Sequence, residues 1–166
     1  FKDGRIIEVE KGSSLLDVAG KISEGFARKV LSATVDGKVH GLPLPLEHDC
    51  AVPFTTFEDA DGRLAFRHTA SHVLAQAIKR LYPESKLAIG PAIDDGFYYD
   101  IDSETVFTPE VLEKLEVEMR KIIKEDIPLK RFEMPRVAAM QFVESMNEPY
   151  KVELIQDLPE DAVISF

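Results

Sequence analysis

The sequence predicts an α+β protein in two parts, a β-grasp over residues 1–60 and a second α+β unit over residues 61–166. Three observations carry this expectation. Asp3-Gly4 and Asp36-Gly37 are hairpin signals, because Asp-Gly supplies the positive φ angles of a two-residue turn. Between them, Ser14 followed by Asp17 opens a helix in the manner of a capping box. The acidic turn Glu58-Asp59-Ala60-Asp61-Gly62 then marks a domain boundary, and a helix bearing two histidines follows it.

In chain order, Ile6-Ile7-Glu8-Val9-Glu10 reads as a strand, the second of a hairpin preceded only by Phe1. A helix over residues 15–22 buries Leu15, Val18, Ala19 and Ile22, and a short helical turn covers residues 24–30. Ala33-Thr34-Val35 and Lys38-Val39-His40 flank the second Asp-Gly. Leu42-Pro43-Leu44-Pro45-Leu46 is extended, since each proline biases its predecessor away from helix. Residues 51–57 close the unit as a strand. Strand, strand, helix, strand, strand within about sixty residues is the ubiquitin-like β-grasp order. His40 and His48 lie in or beside loops as surface residues, and Cys50 is a small packing residue.

Beyond the boundary, residues 67–83 form a helix, and residues 86–93 and 97–101 form strands joined through Asp94-Asp95-Gly96. Thr108 is placed as the N-cap of the next helix, with Pro109 at its first position. Leu112, Leu115, Met119, Ile122 and Ile123 make its buried stripe, and Pro128 ends it. A strand over 129–134, a helix over 135–146 stopped at Asn147, and a helical restart at Glu148-Pro149 follow. Residues 163–166 begin a strand. Both ends of the chain cut through elements, so a truncated chain, monomeric by itself, is expected.

Composition narrows the function classes. Thirty acidic against twenty basic residues give a net charge of −10, which is unsuited to coating nucleic acid and argues against a DNA partner. No apolar stretch approaches the length of a membrane span. Cys50 is the only cysteine, which excludes an internal disulfide and a cysteine-based zinc cage and points to a cytoplasmic location.

The chemistry concentrates in RHTASHVLAQAIKRLYP, residues 67–83. At one hundred degrees per residue, Ala70, Val73, Leu74, Ala77, Ile78 and Leu81 gather on one face. His68, His72, Ala75 and Lys79 gather on roughly the opposite one, with Ala75 leaving room beside the imidazoles. Histidines at i and i+4 suit a solvated polar face, a metal-gripping pair or a pocket wall. The spacing alone leaves all three open, and no H-E-x-x-H glutamate is present.

This helix, followed by LAIGPAIDDGFYYDID and later by PYKVELIQDLPEDAVISF, resembles the editing domain of bacterial threonyl-tRNA synthetases. The preceding sixty residues are similar to the TGS domain of the same enzymes. Together the match runs essentially the length of the chain. The resemblance implies editing-pocket roles for His68, His72, Tyr99 and Lys151, matched singly onto H-x-x-x-H, GFYYD and PYKVEL. Strand alternation puts Phe97, Tyr99 and Ile101 on one face and Tyr98 and Asp100 on the other. The resemblance further implies a downstream Cys-x-x-x-His block that completes the pocket and that the chain does not contain.

In such an enzyme, threonine is attached to tRNA(Thr) with ATP, and this region hydrolyses mischarged seryl-tRNA at the tRNA 3′ end. The ATP, magnesium and zinc sites implied by the resemblance belong to the aminoacylation domain, so no cofactor or metal is assigned to any residue here. The full-length enzyme is expected to be a homodimer. Two other readings stay open: a non-catalytic TGS-type binding module, and a zinc-dependent aminoacyl-tRNA deacylase related to the alanyl-tRNA synthetase editing domain.

Overall fold

A computed structural model describes residues 6–166. The chain divides into two compact units, Phe1–Thr69 and Ala70–Phe166. The Asp3-Gly4 hairpin expected from the sequence lies outside the described residues.

In the first unit, helix α1 spans Leu15–Ile22 and opens on the predicted capping box. The Asp17 N–H donates to Ser14 Oγ at 3.1 Å, and the Asp17 carboxylate accepts from the Ser14 N–H at 2.9 Å. Two orphan donors of the helix start are thereby satisfied. A short helix α2 spans Glu24–Ala27. Strands β1, Ser32–Val35, and β2, Lys38–His40, form the predicted hairpin, with Asp36 and Gly37 at φ of 50° and 76°. These are the two positive angles a type I′ turn demands. Strand β3, Phe54–Thr55, pairs antiparallel with the other edge of β1, giving the order β2-β1-β3. Leu15, Val18, Ala19, Val30, Ala33, Val35, Val52 and Phe54 form the core. The proline-rich stretch is fixed beside the start of α1, where the Leu15 N–H donates to Leu44 O at 3.0 Å and the Leu46 N–H to Ser13 O at 2.9 Å.

Two strand expectations in this unit are corrected. Residues 6–10 form no strand; Val9 packs on the core and the Glu8 carbonyl accepts from Lys21 Nζ. The strand expected over 51–57 contracts to β3, because Pro53 has no N–H to give the ladder and contributes only its carbonyl, to Thr34.

Helix α3, Ala60–Leu81, carries the histidines and begins within the acidic turn. That turn is held rather than loose. The Thr56 N–H donates to the Asp59 carboxylate at 2.9 Å, Arg63 donates to the Glu58 carbonyl at 2.8 Å, and Phe57 meets Phe66 edge-on at 5.3 Å. The first turns of α3 therefore belong with the first unit, and the division falls between Thr69 and Ala70 instead of at the turn.

The second unit follows with β4, Lys86–Leu87, β5, Ala92–Ile93, β6, Gly96–Phe97, and β7, Ile101–Asp102. These are the two expected strands, each broken once. Helix α4 spans Pro109–Glu125, β8 Glu133–Met134, α5 Arg136–Ser145, α6 Pro149–Asp157 and β9 Ile164–Ser165. Pro109 takes the first position of α4 as predicted, though the Thr108 side chain makes no capping bond. Asp126 at φ 50° and Asn147 at φ 57° end α4 and α5 in left-handed conformations. One core gathers Ala75, Ala77, Ile78, Leu87, Leu115 and Ile122, and another gathers Ala139, Val143, Ile155 and Ile164.

The buried stripe of α4 differs from the predicted one. Leu112 and Ile123 are exposed, while Leu115 and Ile122 are buried together with Glu118. Glu118 is tolerated there because Arg80 and Lys121 bond it at 3.2 and 2.9 Å, and Arg80 also grips Glu125 with two contacts of 2.7 Å. No helix among the described residues is long and apolar enough to cross a membrane.

Candidate active site

Helix α3 presents a different face to the core from the one its aliphatics suggest. Ser71, Ala75, Ala77 and Ile78 are buried, whereas Leu81 is exposed. The buried face is thus rotated by roughly 60° toward the histidines, at one hundred degrees per residue. Small Ser71 and Ala75 let the helix approach its partners, which an apolar count overlooks. Ala75, assigned by sequence to the pocket beside the imidazoles, is a core residue. His68 and His72 are exposed. His72 borders the buried face, and Lys79 stands on the same side of the helix about 10 Å further along.

The β4–β7 hairpin supplies the opposite element. Its outer ladder pairs Leu87 with Ile101 and its inner ladder pairs Ala92 with Phe97, so residues 88–91 stand opposite residues 98–100. One extra residue is accommodated as a bulge, where Asp100 bonds both neighbours: its carbonyl accepts from Ala88 N–H and its N–H donates to Ile89 O. In a regular antiparallel strand, the N–H and carbonyl of one residue face the same neighbour. Here the Ala88 carbonyl instead accepts from Lys151 Nζ at 2.6 Å.

Tyr99 sits beside this bulge, half-buried and packed with Ile101 on the core, while Tyr98 is exposed, so the two tyrosines take opposite faces as alternation predicted. Its ring lies against Gly90, and Lys151 Nζ stands 6.0 Å from the ring centroid. Burial pushes the Tyr99 phenol up, helped by the charge of Glu148. Burial pushes the Lys151 amine down, with Glu148 opposing it. Tyr99 and Lys151, far apart in sequence, therefore form one cluster. His68 lies in the first unit and His72 at the start of the second, both on α3.

Sequence reasoning missed Glu148 and Gly90. Glu148 was read only as a helix restart, and is buried with its carboxylate on Lys79 Nζ at 2.8 Å. A charged residue directly before a proline at a helix start was the available signal. Gly90 carries a Tyr99 contact that no local pattern announces. No group of three or more His, Cys, Asp or Glu among the described residues is arranged to hold a metal ion. Chemically, the cluster offers an ammonium partly stripped of water and a phenolic donor. These are donors suited to a polar substrate and to developing negative charge.

Residues 1–56 match the TGS domain family, so a TGS domain stands at the N-terminus. The whole chain is 62% identical to the threonine–tRNA ligase of Clostridium kluyveri, and 58% and 56% identical to those of Clostridium acetobutylicum and Clostridioides difficile. In each case the match covers 100% of this chain and 26% of the relative. The chain is thus similar to one part of an aminoacyl-tRNA synthetase. Specifically, it is homologous to the N-terminal region of the threonine–tRNA ligases.

Proposed function

We propose that this chain is the N-terminal part of a class II threonine–tRNA ligase and that its second unit serves proofreading, hydrolysing seryl-tRNA made in error. The observation that carries the reading is the contact of Lys151 with the Ala88 carbonyl and the Tyr99 ring at the hairpin bulge. The resemblance assigns those two residues, with His68 and His72, to the editing pocket.

The physical need is simple. Serine lacks one methyl of threonine, and a pocket gains only about 1–3 kcal/mol from such a group. A synthetic site sized for threonine therefore admits serine. A second, tighter pocket that excludes the extra methyl removes the error by transferring the seryl group from ribose to water. In this reading Lys151 holds polar groups of the tRNA 3′ end or the developing oxyanion, and Tyr99 donates to water or substrate. An imidazole near its ordinary pKa of about 6.5 suits proton transfer at neutral pH. His72 supplies an imidazole at the edge of the buried face; His68 is included by the resemblance alone.

In the whole enzyme, tRNA(Thr) is the partner and ATP, magnesium and zinc serve aminoacylation in other regions, within a cytoplasmic homodimer. A downstream Cys-x-x-x-His completes the pocket. The test is seryl-tRNA deacylation by this chain and by a longer protein that includes that block, with threonyl-tRNA as the excluded control. The longer protein deacylates; this chain does so poorly. His72→Ala or Lys151→Ala in the longer protein lowers the rate by about two orders of magnitude. Unchanged rates in both variants would overturn the assignment.

A further inference from the structure

Glu148 is buried, 6% exposed, at the head of α6. Burying an ionised carboxylate is costly unless it is paired and hydrogen-bonded. Both its oxygens are engaged: Oε1 with Lys79 Nζ at 2.8 Å, and Oε2 with the Leu87 N–H at 3.3 Å. Lys79 places its other donors on the carbonyls of Pro83 and Ser85, at 2.9 and 3.0 Å, so its ammonium is fully directed.

Lys151 lies one turn further along α6, with its backbone N–H on the Glu148 carbonyl at 3.1 Å. The first turn of α6 thus grips two consecutive residues of the hairpin with two side chains. Glu148 takes the N–H of Leu87, and Lys151 takes the carbonyl of Ala88 that the bulge has turned outward. From this geometry we infer that Glu148 is the positioning residue for Lys151: it clamps α6 to the bulge, holds the Lys151 ammonium over Tyr99, and is itself anchored by Lys79.

Two further charges of these elements have partners of their own. Asp102 on β7 accepts from the Tyr150 hydroxyl at 2.8 Å, and Arg136 on α5 donates to the carbonyls of Ile155, Leu158 and Pro159 at the far end of α6. Glu148 is therefore the carboxylate that both Lys151 and Tyr99 sense, and its charge favours the ammonium and the neutral phenol alike.

The clamp is read from geometry; only its consequence for turnover rests on the proofreading reading. The experiment is NMR titration of the Lys151 side-chain amine in this chain, together with Tyr99 ionisation by phenolate absorbance. Lys151→Arg and Tyr99→Phe identify the signals. Glu148→Gln preserves shape and an acceptor for Leu87 but removes the charge. Both the Lys151 and the Tyr99 midpoints then move to lower pH while the backbone amide spectrum stays folded. If neither midpoint moves, the inference is overturned. Should Glu148→Gln unfold the chain, Lys79→Met leaves the carboxylate in place and moves the Lys151 midpoint upward; no movement there overturns the inference as well.

In the longer protein, Glu148→Gln shifts the pH profile of deacylation in the same direction as the Lys151 midpoint. Shifted midpoints with deacylation indifferent to Lys151→Ala support the clamp and reject the proofreading role. Deacylation lost in Lys151→Ala, with midpoints unmoved in Glu148→Gln, does the reverse.

Discussion

The Tyr99 ring lies directly on the backbone of Gly90: a Cβ at that glycine would stand 2.3 Å from both Cδ2 and Cε2 of the tyrosine. The glycine is required by space, since its φ lies outside the left-handed range. This is where the hairpin carries its extra residue and where Lys151 reaches the Ala88 carbonyl.

Gly90→Ala accordingly forces Tyr99 off its seat. Overpacking of this kind costs about 1–3 kcal/mol, read as a lowered midpoint in urea unfolding. The Lys151 and Tyr99 signals shift in the same spectrum. A stability loss without those shifts would mean that the strain is absorbed elsewhere in the hairpin.

Tyr99 also leaves a mark in alkali. Its phenol is raised above the usual 10.0 by burial first and by Glu148 second. A raised folded pKa contributes stability that is present below the unfolded value and is lost as pH climbs through the folded one. The chain therefore loses stability above pH 10.0 relative to Tyr99→Phe, and the two unfolding curves converge with rising pH. Parallel curves across that window would show a phenol indifferent to folding.

At the other end of the chain, Ser14→Ala removes the capping box of α1. Losing such a cap costs about 1 kcal/mol. The Asp17 carboxyl is held below the usual 3.8 by the Ser14 side chain first and its backbone N–H second. Its contribution is present above that value and fades as pH falls through the folded pKa. Ser14→Ala weakens that acid dependence. Thermal unfolding of both proteins between neutral and strongly acid pH measures it, and identical slopes would refute the coupling.

Buried Glu118 offers a further check. Arg80→Met strips it of its partner on α3 and leaves Lys121 alone on the partly dried carboxylate. A destabilisation is expected, because an acceptor left short of partners bears its desolvation cost. Urea unfolding of Arg80→Met beside the double variant Arg80→Met, Glu118→Leu measures it. The double variant recovers much of the loss; no recovery would assign the effect to Glu125 instead.

Local rules written into neighbouring residues determined a good part of this protein. Ser14 with Asp17, Asp36 with Gly37, Pro109 and Asn147 each act within a few residues, so helix starts, the hairpin turn and helix ends follow from sequence. The alternation placing Tyr99 and Tyr98 on opposite faces was legible for the same reason, though not which of them faces inward. The resemblance singled out Tyr99 and Lys151, though not that the Lys151 ammonium stands over the Tyr99 ring.

Tertiary structure decided what depends on distant partners. Which side of α3 is buried was set by close approach over Ser71 and Ala75, not by its largest aliphatics. Leu112 and Ile123 of α4 stayed outside, because burial follows the surface a neighbour covers, while Arg80 let Glu118 in. The bulge at Ala88 and Ile89, the seat of Tyr99 on Gly90 and the clamp from Glu148 to Leu87 join residues far apart in the chain. A one-residue register shift and a buried ion pair arise only when strands and helices meet. Sequence periodicity, which sees one element at a time, carries no trace of either.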